Sequence, residues 1–501
     1  MTAPTDKTPT PYGLWIDNEM VDPATSETIE VTNPATGATW ATVPNASTGD
    51  VDRAVASARR AFEEGEWPTW RAADRASFLI RFGQAIADNA QEIAELQVGE
   101  NGKLIREMYG QAKLMPEYFN YYAGLAQMPT GNTNPLHLRD MMNYTVREPL
   151  GVVAAITPWN SPLLLLAWKL GPALAAGNTV IAKPSDVTPV STIKIAELAA
   201  EAGLPPGVFN VITGLADPAG TGLVEHPEVD KVAFTGSTAA GQAIAAAAGK
   251  TLKRVSLELG GKSPNIVFDD ADLSSAINGL VAGIFGASGQ TCMAGSRILV
   301  QASIYDEVVA QLADRARSVK LGDPLDEASE MGTIACRPQY DKILRFIDLA
   351  QNEGAKLVAG GEIGQVRGFE NGLFIQPTVF ANVTNDMAIA TDEVFGPVAT
   401  VLRFDDEDDA VRIANDSQFG LAAGVWTNNV QRAHRVAGRL RAGTVWINNY
   451  RKTGYSTPFG GYKQSGLGRE NGPNALLEYT EEKSVWVDTG QGVKDPFNPR
   501  A

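Results

Sequence analysis

Histidine, cysteine and long apolar runs are all scarce in this chain of 501 residues, and each scarcity removes a class of protein. The three histidines, His137, His226 and His434, stand apart from one another and from both cysteines. That spacing supports neither a zinc site nor a Cys–His dyad, and no metal is expected. Two cysteines, Cys292 and Cys336, cannot build a disulfide framework, which points to a reducing, cytoplasmic setting. The most apolar stretch, residues 163–170, is short and carries Lys169, far below the roughly 20 residues of a membrane span. Residues 1–11 are polar and Pro/Thr-rich, with neither an apolar signal region nor an Arg-rich amphipathic helix. A net charge of −16 disfavours nucleic acid and anionic membrane surfaces as partners. The length exceeds what one hydrophobic core organises, so two or three domains are expected in an otherwise ordinary soluble composition.

What the chain does have is alternation. Between about residues 150 and 260, short β-branched runs recur at Val152–Ile156, 179–182, 208–212, Lys231–Thr235 and 254–257. Helical stretches such as 191–202 and 238–248 separate most of them. Strands alternating with helices predict βαβ units and a doubly wound parallel sheet, which binds ligands at the carboxyl ends of its strands. A second α/β block follows, with strands expected at 265–268, 297–300, 373–375, 398–402 and Thr444–Ile447 and helices at 273–287 and 305–319. Residues 140–147 and 483–487 fit neither block. They read as extended strands without local partners, and unpaired edges suggest an oligomerisation sheet.

The chemistry-bearing residues sit at turns. Glu258 ends an apolar strand and is followed by Leu259-Gly260-Gly-Lys-Ser-Pro. A carboxylate there is either a base with a raised pKa or half of an ion pair with a lysine such as Lys262. Cys292 closes Gly289-Gln-Thr-Cys in a Gly- and Ser-rich neighbourhood that suits a turn better than a packed core; Cys336 lacks that context and reads as structural. Thiolate and carboxylate together are the reactive parts needed to make a thioester and hydrolyse it. Thr157-Pro158-Trp159-Asn160 ends the first strand of the block, where an Asn amide can stabilise an oxyanion or merely form a turn. Gly236-Ser237 lies between a strand and a helix whose N-terminus can hold phosphate, although the run is not a full dinucleotide fingerprint. Lys183-Pro-Ser185-Asp186 can meet ribose hydroxyls or simply cap a helix.

These motifs, with Glu393-Val-Phe395-Gly-Pro-Val and Pro458-Phe459-Gly-Gly-Tyr-Lys-Gln-Ser-Gly, occur in an order that resembles the NAD(P)-dependent aldehyde dehydrogenases of the hydrolytic, non-acylating type. The resemblance covers nearly the whole chain. It implies a Rossmann-type cofactor domain (1–127 and 150–258), a second α/β catalytic domain (259–464) and a small β oligomerisation element (128–149 and 478–490). It implies oxidation of an aldehyde to its acid, with Cys292 as nucleophile, Asn160 and the Cys292 N–H as oxyanion hole and Glu258 as the base that activates water. Lys169 and Glu470 match a buried proton-relay pair. NAD contacts are expected from Ile156, Thr157, Pro158, Trp159, Lys183, Ser185, Asp186, Gly236, Ser237, Leu259, Gly260, Glu393 and Phe395.

Two departures bear on selectivity. Asp186 stands where many NAD-preferring relatives carry Glu; its charge still repels a 2′-phosphate, so NAD is favoured and NADP remains open. The loop Asn449-Tyr-Arg451-Lys452-Thr453-Gly-Tyr455 holds adjacent cations, and Ser161 replaces an aromatic residue frequent in apolar pockets. An aldehyde bearing a carboxylate or another polar group, bound by Arg451, is one expectation. Both cations facing solvent is the other. Trp168, Thr291, Met293, Thr453 and Phe459 are expected to line the substrate tunnel. The rival functions are a coenzyme A-acylating dehydrogenase, which would dispense with the Glu258 base, and a non-catalytic binding protein of the same fold. A homodimer or homotetramer is expected.

Overall fold

The structure, a computed structural model, describes residues 8–490, 492 and 496–497; residues 1–7 of the polar N-terminal segment lie outside them. Five parallel strands form the centre of the first sheet: β1 (Val152–Ile156), β2 (Thr179–Lys183), β3 (Phe209–Val211), β4 (Lys231–Thr235) and β5 (Arg254–Glu258). Most of their residues are buried on both faces, which is why they read as continuous Val/Ala/Ile runs instead of alternating ones. Their spatial order is β5-β4-β1-β2-β3, with Gly466–Leu467 added antiparallel beyond β5 and Leu14–Ile16 antiparallel beyond β3. The chain therefore leaves β1 in one direction and later returns to its other side. The crevice between the carboxyl ends of β1 and β4 is the topological switch point, where such sheets bind ligands.

Helix α1 (Pro162–Ala176) follows β1, starting with proline in its first turn and ending at Gly177 in the left-handed region at φ 101°. It is enclosed by core along almost its whole length and carries Lys169 inward. Helix α2 (Val190–Glu201) joins β2 to β3, and α3 (Thr238–Gly249) joins β4 to β5.

The second sheet is also mainly parallel. Its order places β6 (Pro264–Val267) and β7 (Arg297–Gln301) at the centre, with β8 (Thr378–Ala381) and β9 (Val398–Phe404) on one side and β10 (Ala422–Trp426) and β11 (Thr444–Ile447) on the other. One expectation needs correction here, and one strand was not foreseen. Residues 373–375 form no strand of this sheet; Ile375 makes only an isolated bridge to Ile363, and the sheet strand begins at Thr378. The central strand β10 had no counterpart in the sequence reading, because Ala-Ala-Gly is poor β-forming material that packing overrides.

The helix after β6, α4 (Leu273–Ile284), ends short of the expected residue 287. Ala287, Ser288 and Gly289 all take positive φ (56°, 53° and 69°), so the chain reverses sharply before Cys292. A Cβ on Gly289 would lie 2.0 Å from the Gly396 carbonyl oxygen, so only glycine fits that turn.

The two outlying segments do find a partner: each other. Met141–Pro149 and Thr480–Asp488 pair antiparallel along their full lengths, with Thr133–Asn134 on the far side. More than 300 residues separate them, so no local signal could show the pairing.

Glu100 supplies a test of this core. Its carboxylate is buried and accepts the backbone N–H groups of Val190 (2.6 Å) and Ser191 (3.2 Å) at the start of α2. Burial raises its pKa to about 7 against those hydrogen bonds. A carboxyl whose folded pKa is raised stabilises fully below its unfolded value and loses that stability as pH climbs to the folded one. The wild-type Tm is therefore expected to fall between about pH 4.5 and 7 on this account, whereas Glu100→Gln, which keeps the acceptor and removes the charge, flattens the profile. Parallel Tm–pH curves for the two proteins would refute the assignment.

Candidate active site

Two connected openings occupy the switch point. The larger cleft, of about 600 Å³, is lined by Ile156, Thr157, Lys183, Ser185 and Asp186 together with helix α3. The smaller, of about 160 Å³, reaches Asn160, Glu258, Cys292, Glu393 and Phe395. Pro158, Trp159, Thr235, Gly236 and Ser237 line both. Residues scattered over 240 positions of sequence thus meet because they sit at strand ends of two sheets.

Cys292 is half-buried at the inner end of the smaller opening. Burial, then the charges of Glu393 and Glu258, push its thiol up to about 12, while the N–H groups of Met293 and Cys292 itself favour the thiolate. In this state the thiol is protonated at neutral pH and needs a base to react. The loop that carries it is braced from several sides. Asn160 donates through Nδ2 to the Gln290 carbonyl (3.0 Å), and Gln290 bonds Thr333 and Ala335 (3.1 and 3.0 Å). Glu107 accepts the Ala287 N–H at 2.8 Å, which fixes the reversal. The contact to Gln290 uses one hydrogen of the Asn160 amide; the second is available to an oxyanion beside Cys292.

Glu258 ends β5 with both carboxylate oxygens buried and without a hydrogen-bond partner among the described residues. Lys262 makes no ion pair with it there; that lysine is buried separately and lowered to about 7. Burial, reinforced by Glu470, raises the Glu258 pKa well above its ordinary value. An orphaned, desolvated carboxyl is a strong base once ionised. Lys169 of α1 reaches the same region, pairing with Glu470 and donating to Thr235 Oγ1 at 2.6 Å.

The larger cleft has the donor set of a dinucleotide site. Ser237 caps α3 through its hydroxyl (3.3 Å to the Ala240 N–H), leaving a helix N-terminus facing the opening. Lys183 and Asp186 offer a donor and an acceptor at the end of β2, and the Thr157 hydroxyl is buried without a partner among the described residues. Glu393 accepts the Gly261 N–H at 3.0 Å, and a Cβ on Gly260 would lie 2.5 Å from Glu393 Oε2. Leu259 lines the smaller opening, where Phe395, at φ 58°, packs edge-on against Trp159 (5.3 Å between centroids). These residues fit NAD. Gln339 and Lys342 also line the smaller opening, and Thr221 and Glu225 the larger. None of the four carries a turn or motif signal in the sequence.

Cys292 also packs against a largely aromatic cluster of Tyr118, Leu165, Trp168, Leu421 and Phe459, with Met293 and Tyr455 beside it. The Tyr118 ring is 6.0 Å from Trp168 and 5.8 Å from Tyr455, and Trp168 is 5.2 Å from Phe459. Trp168, Met293 and Phe459 were expected; Tyr118 comes from a distant helix, Ile105–Leu125, and sequence reasoning missed it. Thr453 lies against the Tyr118 hydroxyl, Thr291 is buried beside Cys292, and Ser161 accepts from Gln111 at 3.2 Å. The adjacent cations part company. Lys452 is exposed, as one expectation held, but Arg451 turns inward and donates from Nη1 to the Ala282 carbonyl at 2.8 Å.

Known proteins match this chain over nearly its whole length. The family model "Aldehyde dehydrogenase family" matches residues 20–485. An aldehyde dehydrogenase of Aspergillus niger is 45% identical, over 96% of each chain. Betaine aldehyde dehydrogenase of Staphylococcus aureus in complex with NAD+ superposes with a TM-score of 0.95 at 40% identity, covering 96% of this chain and 95% of that one. The NAD+ complex of an aldehyde dehydrogenase from Bacillus cereus gives 0.93 at 44% identity, covering 96% and 97%. The fold and site define an α/β oxidoreductase with a thiol in a small opening that joins a nucleotide cleft. The chain belongs to the aldehyde dehydrogenase family.

Proposed function

We propose that this enzyme oxidises an aldehyde to the carboxylic acid with NAD, through a thioester on Cys292. The observation that carries the reading is the convergence of Cys292, Asn160 and Glu258 on one small opening continuous with a nucleotide cleft. When bound, NAD would supply the hydride acceptor; Ser237 would hold its diphosphate, Lys183, Ser185 and Asp186 its adenosine ribose, and Glu393 and Phe395 its nicotinamide end. Cys292 Sγ bonds to the aldehyde carbon while its thiol proton passes to the carbonyl oxygen, which the second Asn160 N–H and the Cys292 backbone N–H hold as negative charge builds on it. Loss of a hydride from that carbon to the acceptor, together with the hydroxyl proton, would leave the thioester on Cys292. Glu258 then takes a proton from water, whose oxygen attacks the thioester and displaces the thiolate. The carboxyl at 258 supports water as acceptor over coenzyme A, and Asp186 favours NAD over NADP.

The aromatic cluster packed beside Cys292 supports an aldehyde with an apolar or ring-bearing body. The inward Arg451 supports a bracing role at the foot of the nucleophile loop more than a contact with a substrate carboxylate. Arg451→Ala is expected to lower kcat/KM for all aldehydes alike, by roughly tenfold for a lost charged hydrogen bond. A loss confined to carboxyl-bearing aldehydes would restore the anionic-substrate reading. NADH formation without coenzyme A, across aliphatic, aromatic, amino- and carboxyl-bearing aldehydes, tests the activity itself. No turnover with any of them would defeat the proposal.

We also infer that copies pair through the three-stranded sheet. Thr480–Asp488 is an edge strand of it and exposes Trp486, while Met142 is exposed on the neighbouring strand Met141–Pro149. No helix among the described residues is long and apolar enough to cross a membrane, in keeping with the cytoplasmic setting proposed here.

A further inference from the structure

Lys103 belongs to a tight turn that carries none of the site's sequence motifs. Helix Ala90–Asn101 ends at Gly102 in the left-handed region (φ 67°), and helix Ile105–Leu125 follows. A Cβ on Gly102 would lie 1.7 Å from Thr333 Oγ1, so the reversal admits only glycine. The turn is tied to the catalytic groups on two sides. Asn101 accepts the Lys103 N–H at 3.0 Å and donates through Nδ2 to the Trp159 carbonyl, next to Asn160, at 3.4 Å. The Gly102 carbonyl accepts the Thr333 N–H at 3.0 Å, and the Thr333 carbonyl accepts from Gln290 of the nucleophile loop at 3.1 Å. One helical turn further on, Glu107 holds the Ala287 N–H. The turn is thus wedged between the strand end that carries Asn160 and the loop that carries Cys292.

The Lys103 side chain is buried, and its Nζ has no hydrogen-bond partner among the described residues. An ammonium taken out of water in this way is costly unless negative charge offsets it. The groups it faces are Glu107, Arg451 and Cys292. Glu107 is committed to the loop backbone. Arg451 is committed to the Ala282 carbonyl and packs on the loop, where a Cβ on Gly286 would lie 2.2 Å from its Nη1. Tyr450, which also faces Cys292, donates to the Met293 carbonyl at 3.0 Å. Two opposed fields therefore meet at the sulfur. Glu393 and Glu258 act from the opening that they line and disfavour the thiolate. Lys103 and Arg451 act from behind the loop and favour it.

We propose that Lys103 is a positioning residue for the nucleophile: its buried, otherwise unpartnered ammonium holds negative charge on the Cys292 sulfur as the thiol gives up its proton. The proposal rests on reading Cys292 as the nucleophile. Lys103 forms no bond and neither gives nor takes a proton in the step; it acts through charge alone, which a water-poor surrounding screens weakly. Burial lowers the ammonium to about 8, against the pull of Glu107. Below that value Lys103 is charged, and above it the charge is lost. Its help to the thiolate is therefore present at pH 7 and fades as pH climbs past about 8.

The test has one readout that needs no turnover and one that does. Lys103→Met keeps the apolar stem and removes the charge; Lys103→Gln is a second neutral variant, and Lys103→Arg keeps a cation. At pH 7, alkylation of Cys292 by iodoacetamide in the cofactor-free protein, followed by peptide mass, is expected to slow at least about fivefold in both neutral variants. First-turnover NADH formation, after rapid mixing of the NAD complex with aldehyde, is expected to slow as much at pH 7. That gap closes to less than about twofold by pH 9.5, with NAD affinity and Tm unchanged, and Lys103→Arg stays within about twofold of wild type at pH 7. Wild-type rates of alkylation and first turnover in the neutral variants at pH 7 would overturn the proposal. So would an equal loss at every pH together with a lowered Tm, which marks a packing role. A wild-type enzyme that forms no NADH would bring down the functional reading, and the alkylation rates would still decide the role of Lys103.

Discussion

Cys292→Ala is expected to lose aldehyde oxidation by at least about 10⁴-fold while still binding NAD as wild type does. Among the described residues the thiol is the only sulfur lining the small opening, and the larger cleft is built without it. Calorimetric titration with NAD, beside the rate of NADH formation, separates the two effects. The residue stands at the end of a loop held by Asn160, Gln290 and Glu107, so removing Sγ leaves the brace in place. Loss of NAD binding together with activity would make Cys292 a structural residue. Because burial and two carboxylates hold the free thiol up to about 12, alkylation of Cys292 in the cofactor-free protein is expected to be slow at neutral pH. Only the thiolate reacts, so the rate should rise about tenfold per pH unit through the alkaline range.

Glu258→Gln separates the halves of the reaction. The first turnover forms NADH before water is needed, so a burst of about one NADH per active site is expected, followed by a steady state slowed roughly 10²–10⁴-fold. The wild-type pH profile follows from the same environment. Glu258 acts as a base only when ionised, and burial with Glu470 raises its pKa. Deacylation is therefore slow at low pH and rises as pH climbs through that raised value. The Gln variant should lose this limb. Unchanged steady-state turnover in Glu258→Gln would mean another group activates water.

Many of the site residues that the sequence reading singled out sit at turns that follow strands, where the local signal is strong. Pro158-Trp-Asn after β1, Gly236-Ser after β4 and Glu258-Leu-Gly-Gly at the end of β5 announce themselves because a buried sheet makes long apolar runs and a ligand site interrupts them. What the reading missed lies on helices and distant loops. Tyr118 and Gln339 look like any other helical residues, and only the packing of one element on another brings them to Cys292. The pairing of Met141–Pro149 with Thr480–Asp488 and the strand β10 fail for the same reason, being fixed by tertiary contact and not by propensity. The fate of Arg451 belongs here too. The expectations put Arg451 either on a polar substrate group or, with Lys452, in solvent, but a left-handed backbone at Arg451 (φ 62°) turns it inward and leaves Lys452 exposed.

The central claim is a covalent acyl group on Cys292 that Glu258 clears. The most direct measurement is peptide mass mapping of Glu258→Gln, quenched in acid after one turnover with NAD and an aldehyde that the wild type oxidises. The account predicts a peptide containing Cys292 heavier by the acyl group of that aldehyde, at close to one equivalent, with the Cys336 peptide unmodified. NADH formed while the Cys292 peptide stays unmodified would contradict it.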